Sequence, residues 1–213
     1  MQNKKVLGIS VVILLVLFFG VSYIYKNQQS QAVLLNAKVN NSALVRDHSI
    51  VIGNEKAKVE LVEFFDPACE TCAMFHPLVK DIMKENEGNI KLVLRYAPFH
   101  AGSEDVVRML EATRKQNQFM KTLDLVFLTQ RIWTINHTAD LNKLWGVLIQ
   151  SGHLDMDKLV DDMKNPEIDK IIKQDLADAK VLEANKTPSY FVNGRPLEVF
   201  SLEHLKALIK SEL

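Results

Sequence analysis

Cys69 and Cys72 are the only two cysteines in this chain of 213 residues, with Glu70 and Thr71 between them. A disulfide at this spacing closes a very short loop and adds little stability through loop entropy, so its value is chemical. A cysteine attacks as its thiolate, whose reference pKa is about 8.5. The pair stands where a helix begins, and unpaired backbone N–H groups at a helix start favour an anion. Each unit of lowered pKa represents about 1.4 kcal/mol in favour of the thiolate. Cys69 meets that field first and reads as the attacking sulfur, with Cys72, one turn deeper, as the resolving sulfur. Attack on a disulfide gives a mixed disulfide that the second thiol resolves, and the oxidised pair donates its disulfide by the reverse path. Zinc would need about four ligands. His76 offers a third, but no fourth is evident. A soft metal such as copper could use Cys69, Cys72 and either Met74 or His76. Covalent haem attachment needs a histidine where this chain has Ala73.

The elements that must hold this pair are readable on both sides of it. Val59–Phe65 (VELVEFF) is short, apolar and β-favouring, and Asp66-Pro67 ends it, which predicts a buried strand. Residues 69–87 have helical spacing, with Phe75, Leu78, Val79 and Ile82 on one side and Pro77 expected to kink the helix. Asn89–Pro98 predicts a second strand. From Ala101 to Ala184 the pattern is helical, with no strong strand signal. Its apolar stripes are Val106, Met109, Leu110 and Ala112, then Leu123 and Val126 to Leu128, then Leu141, Leu144, Trp145 and Val147 to Ile149, then Ile168, Ile171, Ile172 and Leu176. Strand character returns at Ser189–Val192. Asn193-Gly194 is a hairpin turn signal, and Arg195–Phe200 predicts its second strand. Ser201 caps a last amphipathic helix with Leu205, Leu208 and Ile209 inward.

Lys and Arg total 26 against 26 Asp and Glu, so the formal net charge is zero, and 47% of the residues are hydrophobic. That excludes a disordered chain or a disulfide-dense scaffold and gives no basic footprint for nucleic acid. The charge is uneven: residues 1–32 carry Lys4, Lys5 and Lys26 and no acid. Val6 to Tyr25 is uncharged. As a helix this stretch is roughly 30 Å long, a bilayer core thickness. Residues 1–25 therefore predict a transmembrane signal anchor, with Lys4 and Lys5 keeping the N-terminus cytoplasmic and the remainder exported. The alternative is a cleaved signal peptide with small residues at Gly20 and Ser22. Either places the cysteines where disulfides persist. Residues 26–47 are polar and predict a linker, within which AVLLNAKV could form a short helix.

The segments VIGNEKAKVELVEFFDPACETCAMFHP (residues 51–77) and TPSYFVNGRPL (187–197) together resemble the DsbA-like branch of the thioredoxin superfamily. The resemblance runs from about Ile50 to the C-terminus. It implies an α/β thioredoxin fold, in parts at 48–100 and 185–213, with an inserted α-helical domain at 101–184. It implies a cis Pro188 beside the reactive sulfurs and a Thr187 whose backbone pairs with substrate peptide. It matches Glu63 to a buried acid beneath the disulfide, able to relay a proton to or from Cys72; strand alternation turns Glu60 and Glu63 to opposite faces. The implied activity is thiol–disulfide exchange with exported proteins, with oxidation favoured over reduction or isomerisation. No metal or organic cofactor is called for, and a membrane redox partner must reset the pair. The implied location is the inner membrane with a periplasmic catalytic domain, or a soluble periplasmic form after cleavage. A chaperone-like holder using the groove around Pro188 is a non-redox rival. The chain departs from strongly oxidising relatives, which often have histidine between the cysteines. Ionised Glu70 would repel the thiolate, Thr71 offers a hydroxyl in compensation, and the expectation is a milder oxidant.

Overall fold

The computed structural model describes residues 2–213, and all of their side chains except those of residues 2–8, 30, 33, 37 and 38. The chain runs α1 (Gln2–Val39), β1 (Ile50–Gly53), β2 (Val59–Phe65), α2 (Glu70–Glu85), β3 (Ile90–Tyr96), α3 (Ser103–Arg114), α4 (Phe119–Leu128) and α5 (Gln130–Trp133). It continues with β4 (Thr134–Ile135), β5 (Thr138–Ala139), α6 (Leu141–Ser151), α7 (Met156–Asp162), α8 (Pro166–Val181), β6 (Ser189–Val192), β7 (Arg195–Pro196) and α9 (Leu202–Glu212). This is a thioredoxin fold, with a five-stranded sheet in the order β1-β3-β2-β6-β7. Strands β2 and β3 are parallel, and the other pairs are antiparallel. The long helical run between β3 and β6 builds a second layer against the site.

β2 lies at the centre and is buried except at Glu60. Strand alternation divides its side chains between two cores. Val59, Leu61 and Phe65 join α2, α9 and the inserted helices in the larger core. Val62 and Phe64 join Val93 and Phe191 in the smaller one, covered by Ala43, Leu44, Ala179 and Leu182.

That second face corrects the expectation of a linker over 26–47. The first helix does not stop near Tyr25 but continues to Val39, a 3-10 turn follows at Asn41–Ala43, and Ala43 and Leu44 are buried. The physical reason is the apolar underside of the sheet, which needs a cover that the C-terminal end of α8 supplies only in part. Polar contacts fix the same segment. Asn36 Nδ2 donates to the Val181 carbonyl at 2.8 Å, and Arg46 donates to both carboxylate oxygens of Asp178. Fully buried Arg95 donates to the carbonyls of Ala43 and Leu44 and to Asp175 and Asp178, with its guanidinium 5.2 Å from the Phe64 ring centre.

Other differences are local. The edge strand β1 was not anticipated, because four residues ending in glycine carry a weak pattern. The helical insertion holds a small hairpin, β4–β5, whose turn residues Asn136 and His137 both have positive φ. The predicted strand over 195–200 pairs only at Arg195–Pro196. Leu128 and Ile149, predicted inward, are exposed. Pro77 lies inside α2, a single helix from Glu70 to Glu85. The Asn193-Gly194 turn has φ of 47° and 79°, as a tight hairpin requires. Ser201 accepts from the His204 backbone N–H at 3.2 Å and caps α9.

Among the described residues one helical segment, Ile9–Asn36, is long and apolar enough to cross a membrane, with a mean hydropathy of 2.2 over an 18-residue stretch. The orientation expected from Lys4 and Lys5 rests on side chains outside the described residues.

Candidate active site

Cys69 is the N-cap residue of α2, with extended backbone, and Cys72 is on the helix's first turn. The sulfurs are unpaired as a dithiol. Cys69 keeps 6% exposure and Cys72 none, so only the first can meet a partner. The two thiols are pushed in opposite directions. The hydrogen bond from Cys72 is the largest influence on Cys69, whose pKa is lowered to about 5 despite partial burial. The Thr187 side chain and the backbone N–H groups of Cys72 and Thr71 add to it. The helix-start amides read from the sequence are therefore present but subordinate to the neighbouring thiol. Burial and the adjacent Cys69 anion hold Cys72 well above the ordinary thiol range.

Three segments converge on this pair. The Thr187-Pro188 peptide bond is cis, and the Thr187 carbonyl is 3.2 Å from Cys69 Sγ. Beneath it lies Glu63, 2% exposed, while Glu60 turns to the other face and pairs with Lys91 at 2.8 Å. Burial raises Glu63 to about 7, against the hydrogen bond from Tyr190. Glu70 points outward, and its carboxylate lies 2.6 Å from His137 Nδ1, which the β4–β5 hairpin brings to the acid between the cysteines. Thr71 reaches Cys69 through its backbone N–H.

Several contributors escaped the sequence reading. The sequence marks Asp66 only as the end of a strand. It is fully buried and accepts from the backbone of Ala68, Phe99 and His100, from His100 Nδ1 and from Ser103 Oγ. It thus ties the loop before α2 to the start of the helical insertion, and its own N–H lies 3.5 Å from Cys72 Sγ. Gln130 Nε2 donates to the carbonyls of Pro67 and Cys69. His100 stacks on His137 with ring centres 5.4 Å apart. His100, Ser103, Gln130 and His137 lie 28 or more positions beyond Cys72, and nothing in local spacing marks them. Asp66-Pro67 just before the cysteines was the one available signal.

A cavity of about 680 Å³ opens beside the pair, lined by Glu70, Met74, His76, Lys80, Asp124 and Arg131 among others. His76 Nε2 is 2.7 Å from Asp124, which Lys80 also grips. Met74 is 58% exposed. Among the described residues no group of three or more His, Cys, Asp or Glu side chains has the geometry of a metal site.

This architecture has counterparts. A thioredoxin family profile, described as "Thioredoxin", matches residues 46–211. A candidate protein-disulfide oxidoreductase of Rickettsia bellii is 28% identical over 179 residues, covering 78% of this chain and 64% of its own length. A Na(+)/H(+) antiporter NhaA of Herminiimonas arsenicoxydans is 31% identical over 151 residues, covering 71% of this chain but 23% of the antiporter. The chain thus spans less than two thirds of the length of either relative. Among solved structures, a thioredoxin-like oxidoreductase from Silicibacter pomeroyi superposes with a TM-score of 0.67 at 24% identity, covering 80% of this chain and 95% of its own. Wolbachia pipientis alpha-DsbA1 superposes with a TM-score of 0.68 at 19% identity, covering 81% and 94%. At these identities the structures speak for the fold. With the profile spanning most of the chain, from the segment that covers the sheet to the last helix, the protein belongs to the thioredoxin family and has the DsbA-like form of its fold.

Proposed function

We propose that this protein is an exported thiol–disulfide oxidoreductase that acts as an oxidase through Cys69 and Cys72. The observation that carries the proposal is the opposed proton affinity of the two thiols. One is anionic at neutral pH and keeps a little exposure, while the other is buried and protonated. A substrate thiolate attacks Sγ of Cys69 in the oxidised pair; that sulfur–sulfur bond breaks, and Cys72 leaves as a thiolate and takes a proton from Glu63. A second substrate thiolate attacks the mixed disulfide and expels Cys69 as its stabilised anion. The substrate loses two electrons and the pair gains them. A low pKa at Cys69 makes it the better leaving group, which favours oxidation. The backbone at Thr187, beside cis Pro188, is the edge against which an extended peptide pairs. The redox group is the cysteine pair itself, so no metal or organic cofactor takes part.

Residues 6–25 hold the protein in the inner membrane with this site on the periplasmic side, unless cleavage releases it. A membrane electron acceptor returns the pair to its disulfide. Alkylation trapping in intact cells tests the direction. An oxidase is recovered mainly as the disulfide; recovery mainly as the dithiol would assign it to reduction or isomerisation. Cys69→Ser abolishes turnover on this reading, whereas a holder of unfolded chains would survive that change.

A further inference from the structure

Tyr190 faces Glu63 directly across the antiparallel pair of β2 and β6, as its register partner. Its hydroxyl donates to Glu63 Oε1 at 3.1 Å, and both residues are 2% exposed. The ring is held from its other sides by Phe75 and Phe200, with centres 6.1 and 6.4 Å away. The donor is therefore fixed in place by strand register and ring packing together. A phenylalanine would fill the same volume, so packing alone does not call for the oxygen. We propose that Tyr190 is a positioning residue whose donated hydrogen bond favours the ionised, proton-accepting form of Glu63 over its acid form beneath the cysteine pair and so governs the Cys72 step. This rests on the relay reading of Glu63 given above.

The titratable groups facing Glu63 are Tyr190 from β6 and the two thiols at the start of α2. From β3 the register partner is apolar Leu94. A donated hydrogen bond favours the carboxylate over the acid, so removing it makes Glu63 keep its proton to higher pH. The change is confined to steps in which Cys72 gains or loses a proton.

The test is the single-turnover reaction of the reduced full chain, in detergent micelles, with saturating glutathione disulfide. Cys69 forms the mixed disulfide and releases one glutathione. Cys72 then closes the pair and releases the second, so two electrons pass from the protein to glutathione disulfide. The second release should rise with pH through a midpoint near Glu63's value of about 7. In Tyr190→Phe the midpoint should move up by about one unit, making the step roughly ten-fold slower on the acid limb. The first release should not change. Glu63→Gln should lose the limb, and adding Tyr190→Phe to it should change nothing further. Replacement of Tyr190 by 3-fluorotyrosine, a stronger donor, should move the midpoint down. An unmoved midpoint in the phenylalanine and fluorotyrosine proteins, with the limb lost in Glu63→Gln, would overturn the role of Tyr190 alone. A limb that persists in Glu63→Gln would overturn the relay and this proposal with it.

Discussion

Two identical side chains one helical turn apart are given opposite proton affinities by their surroundings. Cys69 sits at the helix mouth, where the Cys72 thiol, the Thr187 side chain and two backbone N–H groups favour its anion. Cys72 faces the core and a buried acid, and both oppose its ionisation. The spacing of the two cysteines and the helix after them were enough to place one sulfur at the helix mouth and the other a turn deeper. The leading cause, one thiol supporting the other, was not legible, because it depends on side-chain placement. Glu70 was read as a repulsive charge, but its partner His137 comes from a hairpin 67 residues away. Both side chains are more than half exposed, so solvent weakens the pair. Glu70→His should nevertheless stabilise the thiolate and raise the reduction potential by tens of millivolts, about 30 mV for each 1.4 kcal/mol. Equilibration in glutathione buffers measures this, and a fall in potential would contradict the electrostatic account.

At the scale of elements, β2 and α2 were legible because a central strand and an amphipathic helix each impose a strong period on the sequence. The four-residue strand β1 and the two-residue strands β4 and β5 impose almost none, and they were missed. The segment over 26–47 was misread for a different reason. Its few apolar residues look like a tether until the second face of the sheet is known to need covering. The Arg95 network that fastens this segment makes two predictions. Arg95→Leu leaves Asp175 and Asp178 without their buried cation and should cost about 3 to 5 kcal/mol, measured by urea unfolding. Burial alone would raise the pKa of Asp178, but hydrogen bonds from Arg46, Arg95 and Gln174 hold it below the ordinary carboxylate range. Its contribution to stability is therefore present above the unfolded carboxylate value, about pH 4, and is lost as pH falls through the lower folded value. The urea midpoint of the native protein should drop over that acid range, and Asp178→Asn should flatten the drop. Capping is local enough to read directly from sequence. Ser201→Ala should cost about 1 kcal/mol of stability.

The whole molecule joins an apolar helix to a thioredoxin-family domain. The first helix continues without a break from the candidate span to Val39, where the chain turns into the segment beneath the sheet. On the anchor reading, the protein keeps residues 1–25 and stays with membranes after a carbonate wash. A soluble product beginning near Tyr23 or Val33 would replace the anchor with a cleaved signal. Removing residues 1–25 should leave the thiol chemistry intact, because among the described residues none of the groups acting on Cys69 comes from α1. The account depends most on the ease with which Cys69 ionises. The direct measurement is the pH dependence of carboxymethylation in the reduced full chain, with each labelled cysteine located by peptide mass. The predicted result is labelling of Cys69 that rises through a midpoint of about 5, with Cys72 unlabelled at neutral pH. A midpoint at the ordinary thiol value of about 8.5, or a Cys69 that takes no label, would contradict it.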